Sequence, residues 1–323
     1  MYLDFYGLRS PPFQITPDPR AFFEGNNRGA VLQALYFAIQ QGEGIIKVVG
    51  EVGSGKTMLC RMLPLRKETN VDWVYLAHPS LSPEHTLHAI AHELGLPVAN
   101  TTDKLTIMRA LHATLLKRHQ QGRRVVVLVE EAQGMPLESL EEMRLLSNLE
   151  THESKLLQIV LFGQPELDEK LAVRSIRQLK ERITHSLYLP PLEPTEVHQY
   201  LNFRLRSVGY RGPNIFSPKV ARAIGRYSKG LTRRINILAD KTLMIAYSHG
   251  RYTINTQDIS DAALDSQFDN GVSLWKKVSA GIFAGCTLLA MSYFLLLPKL
   301  SVEEANMISK VTTPNHHLIE VKP

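Results

Sequence analysis

The residues best suited to chemistry in this chain occur together at positions 50–57, in the run Gly-Glu-Val-Gly-Ser-Gly-Lys-Thr. This run fits the pattern G-x-x-x-x-G-K-T, in which a glycine-rich backbone turns its N–H groups toward phosphate oxygens. A strand predicted over residues 45–49 precedes it and a helix predicted from Lys56 follows it, so the helix N-terminus adds a favourable partial charge. The pattern predicts a site for a nucleoside triphosphate.

Two side chains of this loop have specific expected tasks. Lys56 is expected to pair with the β- and γ-phosphate oxygens, and Thr57 is expected to ligate Mg²⁺. The predicted nucleotide-binding residues are those of the loop and of the first helical turn: Gly50, Glu51, Val52, Gly53, Ser54, Gly55, Lys56, Thr57 and Met58. We expect ATP and Mg²⁺ as the cofactors.

A second candidate element is the apolar strand predicted at residues 125–129, which ends in Glu130 and Glu131. Glu130 stands where an aspartate usually supports the metal, and its side chain is one methylene longer. Glu131 stands where the base that polarises the attacking water belongs. The alternatives are two solvated carboxylates at a strand end, or a protein that binds ATP and hydrolyses it weakly.

Three further side chains could act on the phosphates from other parts of the chain. Gln164 follows a predicted strand, and the carboxyl ends of parallel strands line the ligand crevice of such sheets. Arg182 precedes the last predicted strand and Arg233 opens a helix. A guanidinium could stabilise charge on the transferring phosphoryl group, in cis or from a neighbouring copy. An exposed glutamine in a turn and arginines on solvated helices are the alternatives.

The elements that must position these residues alternate between strands and helices over residues 27–190. That alternation predicts an α/β fold, a parallel sheet covered by helices on both faces. After residue 191 the strand signals stop, and four helices are predicted within residues 193–267. We therefore expect a nucleotide-binding domain at residues 1–190 and a small helical lid domain at residues 191–270.

The segment at residues 279–297 carries no charged side chain and has about the length needed to cross a bilayer. We predict a transmembrane helix there, with residues 298–323 as a short tail; a buried core helix is the alternative. Lys276 and Lys277 precede the segment and favour a cytoplasmic location for the residues before it.

Composition narrows the possible partners only slightly. The formal net charge of +6 is compatible with nucleic acid, anionic lipid or a nucleotide. The two cysteines, Cys60 and Cys286, are not expected to form a disulfide. No Cys/His cluster has the spacing of metal ligands.

Taken together, the motifs resemble the AAA+ ATPase family of general secretion pathway protein A and MSHA pilus biogenesis protein M. The matching segments are F-Y-G-L at 5–8, P-F at 12–13, D-P-R at 18–20, the loop at 50–57, E-A-Q at 131–133, F-G-Q-P-E-L at 162–167 and G-L-T-R-R-I-N at 230–236.

The resemblance implies a P-loop AAA+ fold and a role for each matched position. The implied roles are Walker A for Lys56 and Thr57, Walker B for Glu130 and Glu131, sensor 1 for Gln164, an arginine finger acting on a neighbouring subunit for Arg182, and sensor 2 for Arg233. It also implies that the segment around Pro12 and Phe13 lies near the adenine. The chain departs from the family at Glu130, where aspartate is usual, and at Thr232, where proline is common.

The resemblance implies an ATPase of the bacterial inner membrane, anchored by a single span with its ATPase domain in the cytoplasm. Its expected work is assembly of a type II secretion or type IV (MSHA) pilus machine, as a homo-oligomeric ring with inner-membrane assembly proteins as partners. Direct peptidoglycan binding is not expected, because only a short tail follows the apolar segment. The alternatives are a DNA-associated AAA+ ATPase of the transposition-helper type and an ATP-binding scaffold. Nucleic acid is disfavoured by the lack of a helix-turn-helix signal after residue 250.

Overall fold

The computed structural model describes residues 2–268, apart from residues 26, 43, 67–69, 78–79 and 100–101. The predicted transmembrane segment at residues 279–297 and the tail at 298–323 lie outside the described residues. In the part of the chain that is described, no helix is long and apolar enough to cross a membrane.

Five parallel strands form a single sheet in the order β2-β3-β4-β1-β5. The strands are β1 (Ile45–Val49), β2 (Val71–Leu76), β3 (Arg124–Val129), β4 (Leu157–Gly163) and β5 (Ile183–Tyr188). The three central strands are rich in Val, Ile and Leu because both of their faces are covered by helices. Along β3, Val126 and Leu128 face one layer while Val125, Val127 and Val129 face the other.

Two layers of helices cover the sheet. On one face lie α2 (Arg28–Gln41) and α3 (Lys56–Met62), whose apolar side chains pack on the sheet residues that include Ile46 and Val48. On the other face lie α4 (Pro83–Glu93), α5 (Lys104–Gln120), α6 (Leu137–Leu146), α7 (Glu166–Leu171) and α8 (Arg177–Lys180). The N-cap residue Ser82 accepts a hydrogen bond from the backbone N–H of His85, and Pro83 occupies the first helical position of α4.

A second core is formed by the last helices of the described chain. They are α9 (Pro194–Ser207), α10 (Pro218–Ser228), α11 (Thr232–Ser248) and α12 (Thr256–Asp265). We call α9–α12 the helical cluster. Its core includes Leu201, Phe216 and Leu238, each 0% exposed.

The sequence predicts that the N-terminal segment, residues 2–25, belongs to the nucleotide-binding domain, but its buried side chains lie in the core of the helical cluster. Its first residues form a short helix, α1 (Tyr2–Tyr6). The Tyr6 hydroxyl donates to the Arg251 carbonyl at 3.0 Å, and Phe13 packs edge-on against Phe216. Aromatic side chains spaced along an irregular segment have no periodicity that points to a partner, and this packing depends on contacts distant in sequence.

Strand register places the predicted site residues at one edge of the sheet. Val49 of β1 pairs with Gly163 of β4, and Val129 of β3 pairs with Leu161 of the same strand. The carboxyl ends of these three neighbouring strands are therefore aligned. The residues that follow them converge on one crevice.

Candidate nucleotide-binding site

The glycine-rich loop connects β1 to α3 and bends around the side chain of Lys56. Lys56 as a residue is only 6% exposed, and its Nζ donates to the carbonyls of Gly50 at 2.7 Å and Glu51 at 3.1 Å. Burial lowers the pKa of Lys56, while nearby carboxylates led by Glu131 act to raise it. The loop thus holds a cation beneath its own backbone, at the N-terminus of a helix.

A cleft of about 380 Å³ opens above this loop. Six predicted nucleotide-binding residues line it: Val52, Gly53, Gly55, Lys56, Thr57 and Met58. Glu131 and Arg233 line the same cleft. The other three predicted residues, Gly50, Glu51 and Ser54, are not among its lining residues, and the first two support Lys56 through their carbonyls.

The predicted metal ligands lie side by side. The Thr57 hydroxyl is 3.5 Å from Oε2 of Glu130, which is a loose hydrogen bond. The other carboxylate oxygen of Glu130, Oε1, is buried without a hydrogen-bond partner among the described residues. A hydroxyl and a carboxylate with an unsatisfied oxygen fit Mg²⁺, which takes oxygen ligands and is held by few protein groups plus phosphate oxygens and water.

Glu130 also influences the side chains packed around it. Burial raises the pKa of the Cys60 thiol, and the charge of Glu130 raises it further. The same two causes, in the same order, raise the pKa of the Tyr75 hydroxyl. Both groups are therefore protonated around Glu130 at neutral pH.

Glu131 is held in an unusual conformation next to this carboxylate. Its backbone lies in the left-handed region, at φ 50° and ψ 40°, which is uncommon for a residue with a side chain. Oε2 accepts hydrogen bonds from the side-chain amides of Gln133 at 2.6 Å and Gln164 at 2.8 Å. Burial acts to raise the pKa of Glu131, but these two donors and the Lys56 charge outweigh burial and hold that pKa below its ordinary value. The carboxylate is thus ionised, and its orientation at the cleft is fixed by hydrogen bonds.

Gln133 is a functional candidate that sequence reasoning missed. Its Nε2 donates to Glu131, and its Oε1 accepts the backbone N–H of Gln164 at 3.0 Å. Lys170 Nζ in turn donates to the backbone carbonyls of Gln133 and Met135, at 2.5 and 2.6 Å. Gln133 therefore ties the end of β3 to the end of β4. Its place in the E-A-Q segment was the only sequence signal for it.

Helix α11 begins at the mouth of the cleft, which brings Arg233 to the glycine-rich loop at residues 50–57, called the phosphate loop below. The backbone N–H of Arg233 donates to the Gly53 carbonyl at 3.2 Å, and the Thr232 hydroxyl donates to the same oxygen at 2.7 Å. The Arg233 side chain is exposed along the cleft wall. It is therefore placed to approach a bound phosphate.

Arg182 lies at the amino ends of the strands, on the side of the sheet opposite to the cleft. It immediately precedes β5, and its carbonyl accepts the backbone N–H of Ile45, the first residue of β1. The phosphate loop begins after the last residue of β1, roughly 15 Å farther along a five-residue strand. Arg182 lines a separate cavity of about 690 Å³ with Arg123, Arg124 and Lys155. Within one subunit it does not meet the cleft.

Several buried polar side chains from distant elements complete the cleft, and no sequence motif marked them. Arg28 of α2 is 5% exposed and donates to the Ser54 carbonyl at 2.9 Å. Burial lowers its pKa, against the attraction of Tyr200 and Glu196. Tyr200 lines the cleft, and its hydroxyl donates to Oδ1 of Asn236 at 2.7 Å.

The N-terminal segment supplies one wall of the cleft, slightly after the expected position. Residues 14–17 line the cleft, whereas Phe13 is buried in the helical cluster. Arg204 donates to the Pro12 carbonyl at 2.7 Å, and Asn236 donates to the Gln14 carbonyl at 3.0 Å. These contacts hold the segment between the helical cluster and the phosphate loop.

Comparison with known proteins agrees with this geometry. Residues 39–171 match the family model described as AAA domain. General secretion pathway protein A of Aeromonas hydrophila is 38% identical over 294 residues, which are 91% of this chain and 54% of that protein. ATP-dependent target DNA activator B of Escherichia phage Mu is 32% identical over 148 residues, 46% of this chain and 43% of that protein. The chain thus spans about half the length of the curated relatives it matches.

Among solved structures, the ORC2 protein of Aeropyrum pernix, in ADPNP and ADP complexes, superposes with a TM-score of 0.56. The two chains are 19% identical, and the match covers 79% of this chain and 72% of the other. At that identity the likeness concerns the fold. The resemblance to general secretion pathway protein A is confirmed, while the pilus-type member remains a prediction. The chain is therefore an AAA+ P-loop protein related to general secretion pathway protein A, with residues 39–171 as its AAA domain.

Proposed function

We propose that this protein binds ATP with Mg²⁺ and hydrolyses it to ADP and phosphate. The observation that carries this proposal is the placement of Glu131, an ionised carboxylate fixed by two amide donors, in the same cleft as Lys56. A carboxylate so placed can orient an attacking water and accept its proton. Binding alone would not require that arrangement.

Each residue of the cleft has a proposed task that follows from its position. Lys56 gives up its bonds to the loop carbonyls and pairs with phosphate oxygens instead. Thr57 and Glu130 would hold Mg²⁺, which would neutralise charge on the phosphates. Gln164 keeps Glu131 in place and senses the terminal phosphate from the end of β4. Arg233 adds positive charge from the helical cluster.

We further propose that a neighbouring subunit completes the site. Arg182 cannot reach the cleft of its own chain, because it lies on the side of the sheet opposite to the cleft. A head-to-tail arrangement would bring the Arg182 side of one copy to the cleft of the next, and such heterologous contacts form a ring when the rotation between copies closes. The arginine finger is thus assigned to the neighbour.

The relationship to general secretion pathway protein A supports a role in assembling a secretion or pilus machine. In this proposal residues 279–297 anchor the protein in the inner membrane and the ATPase domain faces the cytoplasm. The anchor is tested by carbonate extraction of membranes from cells that make the full chain. Retention in the membrane pellet is expected, and complete release would remove the anchor from the proposal.

Steady-state ATP hydrolysis by the full chain and its variants tests the enzymatic proposal. Lys56→Ala is expected to abolish ATP binding, and Glu131→Gln is expected to keep binding while hydrolysis falls roughly 100-fold or more. Equal rates in wild type and both variants would instead favour an ATP-binding scaffold. Glu130→Asp is expected to leave hydrolysis unchanged or raise it, and a large fall would show that Glu130 is adapted to the metal.

A DNA-associated ATPase is the second candidate, because the phage Mu relative is named as an ATP-dependent target DNA activator. The net charge of +6 is compatible with it. Hydrolysis measured with and without duplex DNA at low salt separates the candidates, since a DNA contact must weaken steeply as salt rises. Stimulation by DNA that disappears with salt would favour this second function.

A further inference from the structure

The helical cluster is hydrogen-bonded to the phosphate loop at the carbonyl of Gly53. Two donors from the first turn of α11 converge on it: the hydroxyl of Thr232 at 2.7 Å and the backbone N–H of Arg233 at 3.2 Å. The hydroxyl bond is the shorter of the two. It is also the only one of the two that depends on the type of side chain.

The approach of α11 to the loop is close enough to dictate the residue at position 53. A Cβ atom added to Gly53 would lie 2.8 Å from Cβ of Arg233, and the φ of Gly53 is +77°. Real Cβ atoms do not approach other carbons so closely, and this φ disfavours a side chain. The pattern G-x-x-x-x-G-K-T leaves this position open, so the glycine here reflects contact with α11.

The peptide that follows Gly53 is fixed on both of its polar sides. Its carbonyl receives the two donors from α11, and its N–H, on Ser54, donates to the Glu51 carbonyl at 3.1 Å. The next carbonyl, that of Ser54, is held by the buried guanidinium of Arg28 at 2.9 Å. Loop geometry at Gly53 thus depends on the position of α11, while geometry at Ser54 depends on α2.

We propose that Thr232 is a positioning residue for the nucleotide phosphates. Its hydroxyl holds the Gly53–Ser54 peptide, so the loop keeps its phosphate-binding shape only while the start of α11 is docked on it. The inference rests on the proposed nucleotide binding and adds a route by which the helical cluster sets nucleotide affinity. Thr232 lines the cleft, but its hydroxyl proton is already engaged by the Gly53 carbonyl.

A purely structural role for Thr232, as the first residue of α11, makes different predictions. A helix-start role depends on backbone conformation and tolerates proline, which is favoured at the first helical position. The positioning role depends on the hydroxyl, which serine retains while valine and proline do not. Leu231, at φ −78° and ψ 118°, has a backbone compatible with a following proline.

The experiment is equilibrium titration of the full chain with ATP and with ADP, both with Mg²⁺, for wild type, Thr232→Val, Thr232→Ser and Thr232→Pro. Loss of one hydrogen bond predicts about three- to tenfold weaker binding for the valine and proline variants. Thr232→Ser is expected to bind as wild type does. Thr256→Val is the matched control, because Thr256 is the exposed first residue of α12 and is not among the residues that line the cleft.

Thermal unfolding without nucleotide accompanies each titration and shows whether a variant is folded. Folded valine and proline variants that bind as tightly as wild type would overturn the role of Thr232 and leave nucleotide binding intact. If serine fails to restore affinity, the hydroxyl is not the determinant and the inference also falls. If wild type itself binds neither nucleotide, the proposed function fails, and the inference fails with it.

Discussion

Gln164, at the end of β4, donates its side-chain amide to the Glu131 carboxylate at the end of β3, across 2.8 Å. The two strands are neighbours in the sheet, so this contact is a consequence of their register. It gives the proposed base a fixed orientation.

Replacing Gln164 by leucine removes that donor while keeping similar volume. We expect ATP binding within about threefold of wild type and hydrolysis reduced roughly 10- to 100-fold, because small misplacement of a catalytic group is costly. Parallel measurements of binding and hydrolysis separate the two effects. Gln121→Leu, at an exposed position just before β3, is the control and should match wild type. Full hydrolysis by Gln164→Leu would remove Gln164 from the proposed machinery.

Gln133 is expected to control the pH range of hydrolysis. Its amide helps to hold the pKa of Glu131 below the ordinary value, so the ionised form persists as the pH falls. Gln133→Leu removes the donor, which should raise that pKa and move the acid limb of the kcat profile to higher pH. Gln133→Glu should move it further, because a second carboxylate disfavours ionisation. An acid limb that stays in place, or moves to lower pH, would contradict this assignment.

The left-handed backbone of Glu131 is expected to cost stability. For a residue with a Cβ atom this backbone region costs about 1–2 kcal/mol of conformational free energy, and for glycine it costs much less. Glu131→Gly should therefore unfold at a higher temperature than Glu131→Gln, although both lose hydrolysis. Thermal unfolding without nucleotide measures the difference. A lower midpoint for the glycine variant would mean that the side chain contributes more stability than the strain removes.

Gly230 and Gly250 form a matched pair for testing crowding in the helical cluster. Both have positive φ, but a Cβ on Gly230 would lie 2.2 Å from the Leu192 carbonyl oxygen, whereas one on Gly250 would meet nothing within 4 Å. We expect Gly250→Ala to cost about 1 kcal/mol in free energy of unfolding and Gly230→Ala about 2–4 kcal/mol. Chemical denaturation measures both. Similar losses in free energy of unfolding for the two variants would show that the backbone around Gly230 shifts at little cost to make room for the Cβ atom.

Two inactive variants should complement each other if Arg182 acts on a neighbouring subunit. Lys56→Ala lacks the phosphate lysine but keeps Arg182, and Arg182→Ala has the reverse defect. In mixed oligomers about a quarter of the sites pair an intact loop with an intact arginine. Hydrolysis should therefore reappear on mixing. Mixing Lys56→Ala with the double variant Lys56→Ala/Arg182→Ala, in which no loop is intact, measures the effect of mixing alone. No recovery in a mixture whose subunits have exchanged into mixed oligomers would rule out action in trans.

Local sequence patterns were sufficient to predict the sheet and the phosphate loop. The strand over residues 45–49 and the helix from Lys56 lie where the pattern requires them, because loop, strand and helix N-terminus are contiguous in sequence. Short elements such as α1 and α7 escaped, since five or six residues carry too little periodicity.

The parts of the site that sequence could not reveal depend on contacts between distant residues. Arg28 is a single arginine at the start of α2, and only tertiary packing brings it to the Ser54 carbonyl. Thr232 was visible only as a departure from a family pattern, without a partner. Its partner lies 179 positions earlier in the chain. Hydrogen bonds of that span follow from tertiary packing and leave no periodic trace.

The packing of the N-terminal segment on the helical cluster has a consequence for synthesis. One hydrogen-bond partner of Tyr6 is Arg251, which is synthesised 245 residues later. The Gly53 carbonyl likewise has no Thr232 hydroxyl to accept from until α11 has been synthesised. At ordinary rates of translation, roughly 10–30 s separate the emergence of the phosphate loop from that of α11. A nascent chain therefore carries a complete glycine-rich loop before the helical cluster and the Thr232 hydrogen bond have formed. If Thr232 positions the loop as proposed, full affinity for nucleotide is acquired only after the last helices have left the ribosome.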